Sequence, residues 1–141
     1  MPVRKSNAEW KGDLQNGSGT ITVGADKFSQ DYTFSSRFEQ GSGTNPEELI
    51  AAAHAGCYSM ALAHALEEKG SVPESVRTEA SVDIEKSGDG FSITTIILKT
   101  QVKASGIEEQ AFQETAAEAR DNCPVSQALR GAEIKLEACL E

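Results

Sequence analysis

The chain has 141 residues, with 13 Lys and Arg against 22 Asp and Glu, for a formal net charge of −9. That length fits one domain, small enough that a second copy often completes such a core. The acid excess argues against nucleic acid and anionic membrane as principal partners, since phosphate surfaces are held by a surplus of Lys and Arg. No apolar segment follows Met1-Pro2-Val3-Arg4-Lys5, so no secretory signal is expected and the expected location is cytoplasmic.

From Ser6 to Val23 the pattern predicts two short strands joined at Asn16-Gly17-Ser18-Gly19, with Trp10 and Ile21 as core anchors. Phe28, Tyr32, Phe34 and Phe38 predict a third extended or irregular stretch carrying Arg37 and ending in the loop Gln40-Gly41-Ser42-Gly43, which closes a β-rich part over 1–43. Thr44-Asn45-Pro46-Glu47-Glu48 has the chemistry of a helix start: a capping side chain, a proline at the first position, and acids at the positive end. The helix is expected over 45–69, closed by Gly70, with small residues all round that suit packing on several sides.

Val76, Thr78, Ala80, Val82 and Ile84 alternate with polar residues, the period of a half-buried strand. Ser87-Gly88-Asp89-Gly90 turns it back into a strand with Ile93, Ile96, Ile97 and Leu98 on both faces, predicting a hairpin over 75–103 whose second strand is the more buried. A helical pattern over 107–130 breaks at Asn122-Cys123-Pro124, and a last strand is expected over 132–140. This order predicts an α+β fold in a single domain, 1–141, with antiparallel sheets rather than βαβ units. Leu49 to Leu66 is long enough to raise a membrane question, but it carries His54, Gly56, Ser59 and His64 and reads as a buried helix of a soluble protein.

Three scattered cysteines without a Cys-x-x-Cys motif make neither a disulfide framework nor a zinc signature. Cys57 lies about three turns inside its helix, too deep for help from the helix dipole, so if it reacts a cation must be delivered to it. Arg37 is the best-placed candidate in sequence and Arg120 a weaker one. Glu47 falls about 80° around the helix from Cys57 but roughly 15 Å along it, so either Arg37 bridges part of the gap or Glu47 serves a partner chain. Cys123, next to Pro124 at a helix start, sits beside free amides that favour a thiolate. Two small, inert core or helix-end cysteines are the competing explanation. Cys139 alternates with the apolar set of the last strand and reads as a bystander. His54, Cys57 and His64 fall on roughly one helical face, which raises a metal site with Cys123 as a lesser alternative, one that lacks an evident fourth ligand.

Gly43-Thr44-Asn45-Pro46-Glu47-Glu48-Leu49-Ile50-Ala51-Ala52-Ala53-His54-Ala55-Gly56-Cys57-Tyr58-Ser59-Met60, with Asn122-Cys123-Pro124-Val125-Ser126, resembles the OsmC/Ohr family of thiol peroxidases and is more similar to its OsmC branch. The resemblance implies an OsmC-like fold, antiparallel sheets around a long central helix in an intertwined homodimer. It implies a hydroperoxide reductase without a cofactor, with Cys57 as the peroxidatic thiol, Cys123 as the resolving thiol, Arg37 as the activating cation and Glu47 as the carboxylate that orients it. The implied partners are an organic hydroperoxide and a dithiol reductant, of which a lipoyl-type dithiol is one form. A thiol redox sensor uses the same residues and is the alternative. Gly56 departs from an alanine common in relatives, and Phe28, Phe34, Phe38 and Met60 are candidate apolar walls for an organic peroxide.

Overall fold

The computed structural model describes residues 1–141, which form two compact units, Met1–Leu49 and Ile50–Glu141. In the first unit, β1 (Asn7–Lys11), β2 (Ser18–Val23) and β3 (Phe28–Tyr32) make an antiparallel sheet in that order. Trp10 and Tyr32 pack tilted, ring centroids 5.2 Å apart. Gly19 lies between them, opposite Trp10 in the register, where a Cβ would come within 2.7 Å of both rings. The predicted hairpin is therefore present, although Ser18 and Gly19 belong to the strand rather than to the turn.

The stretch expected to continue as extended or irregular chain is instead a short helix, α1 (Phe34–Phe38). Local hydrogen bonding decides this. Thr33 accepts from the Ser36 amide, and Ser36 accepts from the Thr33 amide, so each satisfies a donor that a helix start leaves free. Phe34 and Phe38, four apart, then meet on one face at 5.0 Å. Arg37 therefore stands on a helix and not on a strand.

The loop after α1 is tied back at several points. Asn45 donates to the Ser36 carbonyl at 2.9 Å, Ser36 donates to the Thr44 carbonyl at 2.8 Å, and the Thr44 amide donates to Asp31 at 2.9 Å. Gly43, with φ +103°, approaches the Asp31 carbonyl so closely that a side chain there would collide with it. Asn45 then caps α2 (Pro46–Glu68) by accepting from the Glu48 amide at 2.8 Å.

In the second unit, β4 (Ser75–Ser87) and β5 (Gly90–Lys103) pair as the predicted antiparallel hairpin, and β6 (Glu133–Leu140) lies on the other side of β5. The expectation of purely antiparallel sheets fails here: β6 runs parallel to β5. α3 (Glu109–Asn122) and α4 (Pro124–Ala128) carry the chain back before β6 begins, so the last strand starts alongside the start of its neighbour's central run. β5, the central strand, buries Ile96, Leu98, Thr100 and Val102. Tyr58, Leu62 and Leu66 of α2 join them with Phe112, Ala116 and Ala119 of α3 in one core cluster that also takes in Cys123. α2 is apolar and long enough to cross a membrane by composition alone, yet these three side chains are fully buried in the protein.

Candidate active site

Cys57 and Cys123 meet. Their sulfurs are 3.2 Å apart, both thiols are reduced, and 66 residues of chain separate them. α2 supplies Cys57, which is partly exposed and lies next to the buried Tyr58. Cys123 is the residue between α3 and α4, 1% exposed; Pro124 ends the first helix and starts the second, so the break seen in the sequence is what aims this side chain. A disulfide needs a separation of about 2.05 Å, so bond formation asks for an approach of only about 1 Å.

The two thiols differ electrostatically. Burial pushes the Cys57 thiol up, and the sulfur of Cys123 adds to this against a single amide donor, that of Val125. Burial also acts on Cys123, but the Ser126 amide, the Cys57 thiol, the Ser126 hydroxyl and the Val125 amide together outweigh it and hold Cys123 below the ordinary thiol value. Cys123 lies beside amides that favour a thiolate, as its place at the helix start leads one to expect.

The other two predicted residues also meet, within the first unit. Arg37 donates twice to Glu47, Nε to Oε1 at 3.0 Å and Nη2 to Oε2 at 3.1 Å. Two parallel contacts fix the plane of the guanidinium. Glu47 is 7% exposed, and the Arg37 side chain keeps 36% of its surface open, so the cation is oriented by a buried carboxylate while still presented outward. The guanidinium also lies 5.2 Å from the Phe38 ring centre. Beside it is a cleft of 220 Å³ lined by Trp10, Leu14, Tyr32, Phe34 and Phe38. Of the expected apolar walls, Phe34 and Phe38 line this cleft; Phe28 is half exposed outside it, and Met60 is 77% exposed on α2 of the second unit.

The histidines do not share a site. His54 is fully buried with Nε2 2.6 Å from the Ser126 hydroxyl, whereas His64 faces solvent with Nε2 2.7 Å from Glu68. No group of three or more His, Cys, Asp or Glu side chains gathers as a metal site would require. Arg120 pairs with Asp121 at 3.0 Å, and Cys139 is exposed on β6. Sequence reasoning missed the contacts of Val125 and Ser126 with the sulfurs and of His54 with Ser126. The Asn-Cys-Pro-Val-Ser run was visible, but which of its groups turn inward is set by the packing of α4.

A family model described as OsmC-like protein matches residues 39–138. Peroxiredoxin OsmC of Escherichia coli is 46% identical over 135 residues, covering 95% of this chain and 94% of that protein. The organic hydroperoxide resistance protein OhrB of Bacillus subtilis is 33% identical over 102 residues, 70% of this chain and 72% of that one. Its crystal structure matches 95% of this chain and 97% of its own with a TM-score of 0.70 at 28% identity. An OsmC structure from Legionella pneumophila, at 24% identity and 99% coverage of both chains, gives a TM-score of 0.70 and speaks for the fold alone. The α+β architecture, the paired sulfurs and these matches agree: the chain belongs to the OsmC-like family, on its OsmC branch.

Proposed function

We propose that this protein is a thiol-dependent peroxidase that reduces organic hydroperoxides through Cys57 and recycles by way of a Cys57–Cys123 disulfide. The observation that carries the reading is the pair of reduced sulfurs at 3.2 Å. The 46% identity to a peroxiredoxin supports it. The Cys57 thiolate attacks one peroxide oxygen, the O–O bond breaks, and the departing alkoxide takes a proton to leave as alcohol. Cys57 is left as a sulfenic acid. Cys123 then displaces its oxygen as water, and an external dithiol, a lipoyl-type compound among the candidates, restores both thiols by exchange.

Arg37 is assigned to the first step, where a guanidinium stabilises charge on the breaking peroxide, and Glu47 to holding it. The bidentate geometry, which fixes the guanidinium in one orientation, supports this. The aromatic cleft beside Arg37 suits the carbon chain of an organic hydroperoxide better than hydrogen peroxide, which has none. The reading includes a homodimer: Ala52, Ala53, Gly56 and Met60 leave an exposed apolar face along α2, which a second copy would cover. A reducing, cytoplasmic compartment suits a disulfide that must be opened at each turnover.

The deciding experiment is steady-state consumption of an alkyl hydroperoxide with a lipoyl dithiol. Many turnovers, lost in Cys57→Ser, are expected. One equivalent consumed without recycling would make the protein a sensor instead.

A further inference from the structure

Ser126 and His54 have no part in the reaction as described, yet both are buried, at 3% and 0% exposed, and they touch across 72 residues of sequence. His54 comes from α2, three residues before Cys57, and Ser126 from α4, three residues after Cys123. The hydroxyl and the amide of Ser126 both act on the Cys123 thiol, lowering its pKa. His54 thus touches Ser126, Ser126 acts on Cys123 three residues before it in the chain, and Cys123 touches Cys57.

The protons on this line have a fixed direction. Burial holds the His54 imidazole below its ordinary pKa and hence neutral, with one N–H. Its Nδ1 has no hydrogen-bond partner. A hydrogen on Nδ1 would be a buried, unpaired donor, whereas a hydrogen on Nε2 is given to the Ser126 oxygen and leaves only a bare lone pair behind. Ser126 has a single hydroxyl hydrogen. With its oxygen accepting from His54, that hydrogen is free to point at Cys123.

We infer that His54 is a positioning residue for the disulfide steps: through Ser126 it directs a hydroxyl donor at Cys123, so that Cys123 attacks, and later departs, as a thiolate. The inference rests on the peroxidase reading above. In the forward step the Cys123 sulfur bonds to the Cys57 sulfur while the S–O bond of the sulfenic acid breaks; hydroxide leaves and takes a proton to become water. In the return step a thiolate of the external dithiol bonds to Cys57, the more accessible sulfur, and the electron pair of the breaking S–S bond passes to Cys123. A low-pKa thiol leaves faster. The other ionisable groups near the line are Tyr58 of α2, Arg120 and Asp121 of α3, and Arg130, which borders the same pocket as Ser126. Tyr58 donates to the Ala116 carbonyl and Arg120 pairs with Asp121, so neither competes for Ser126.

The test uses the full chain in a Cys139→Ser background and compares His54→Leu, which removes the donor, with His54→Gln, whose amide nitrogen can reach the position of Nε2. In single-turnover trapping, His54→Leu should slow conversion of sulfenic acid to disulfide about tenfold relative to sulfenic acid formation, the size of one hydrogen bond no longer directed at the Cys123 thiolate. His54→Gln should recover most of it. With Cys57→Ser added, the ultraviolet titration of the Cys123 thiolate should move up by about one unit in His54→Leu and back in His54→Gln. An unmoved titration, or His54→Gln behaving as His54→Leu does, overturns the inference. Should His54→Leu not fold, Ser126→Ala against Ser126→Thr decides the same question by the same readouts. The titration needs no peroxide, so it separates failure of this inference from failure of the peroxidase reading, which would show as no sulfenic acid in the parent protein.

Discussion

The guanidinium of Arg37 is held edge-on by the buried carboxylate of Glu47, ten positions on along the chain and across one glycine-pinned loop, through two contacts of 3.0 and 3.1 Å. This pair belongs to the first unit, and the two sulfurs belong to the second. Cys57, whose own surroundings push its thiol up, therefore depends on Arg37 for its activation in the proposed mechanism. Arg37→Ala should slow oxidation of Cys57 about a hundredfold in single-turnover measurements, the size found for losing one donor aimed at a developing oxyanion. Arg37→Lys should restore only part of the rate, because an ammonium cannot make the bidentate contact to Glu47. A full rate in Arg37→Ala would remove this residue from the site.

Substrate choice is assigned to the cleft of Trp10, Leu14, Tyr32, Phe34 and Phe38. Truncating Phe38 to Ala should lower the rate with an alkyl hydroperoxide about tenfold while sparing hydrogen peroxide, since one lost apolar wall is worth on the order of 1–3 kcal/mol for a carbon chain. Competition kinetics with the two peroxides check it. An equal loss for both would place the organic chain elsewhere.

Met60 is 77% exposed at one end of the apolar α2 face, an arrangement that a second copy would bury. A charge placed there is costly only if that face is covered. Met60→Glu should shift the protein from dimer to monomer in sedimentation. A dimer of unchanged strength would locate the interface on another surface.

Gly56 lies on the same helix, and a Cβ built there meets nothing within 4 Å. Gly56→Ala should therefore stabilise the fold by about 0.5–1 kcal/mol, because the helix no longer orders a glycine backbone. Thermal unfolding should move up by about 2–4 °C for a chain of this size. A lowered midpoint would mean that a neighbouring chain already touches this position.

His54 sets the sign of one pH effect. Its folded pKa is lowered by burial, so the unfolded chain binds the proton more readily below the ordinary histidine value. The stability it contributes is complete above about pH 6.5, the unfolded value, and is lost as pH falls from there toward the folded pKa. Denaturant unfolding between about pH 7 and pH 5.5 should show falling stability, with a flatter profile in His54→Gln. Equal slopes would mean that His54 is not held neutral in the fold.

Much of this protein is determined by the sequence read alone. The helix start at Asn45-Pro46, the hairpin turn at Ser87 to Gly90 and the break at Cys123-Pro124 are local features, fixed by capping, turn conformation and the missing proline amide, so they are legible without the fold. Cys57, Cys123, Arg37 and Glu47 stood out for their local settings and for the family motif. The α1 helix was hidden because four spaced aromatics suit an extended chain as well as a helix, and only the Thr33–Ser36 capping exchange tips the balance. The parallel placement of β6 depends on where α3 and α4 deliver the chain, which no strand encodes by itself. The tertiary structure also decided what the cysteines experience. The amides of Val125 and Ser126, and the buried His54 behind them, reach the sulfurs only after α2 and α4 pack together, and it is this packing of distant segments that makes one thiol easier to ionise than the other.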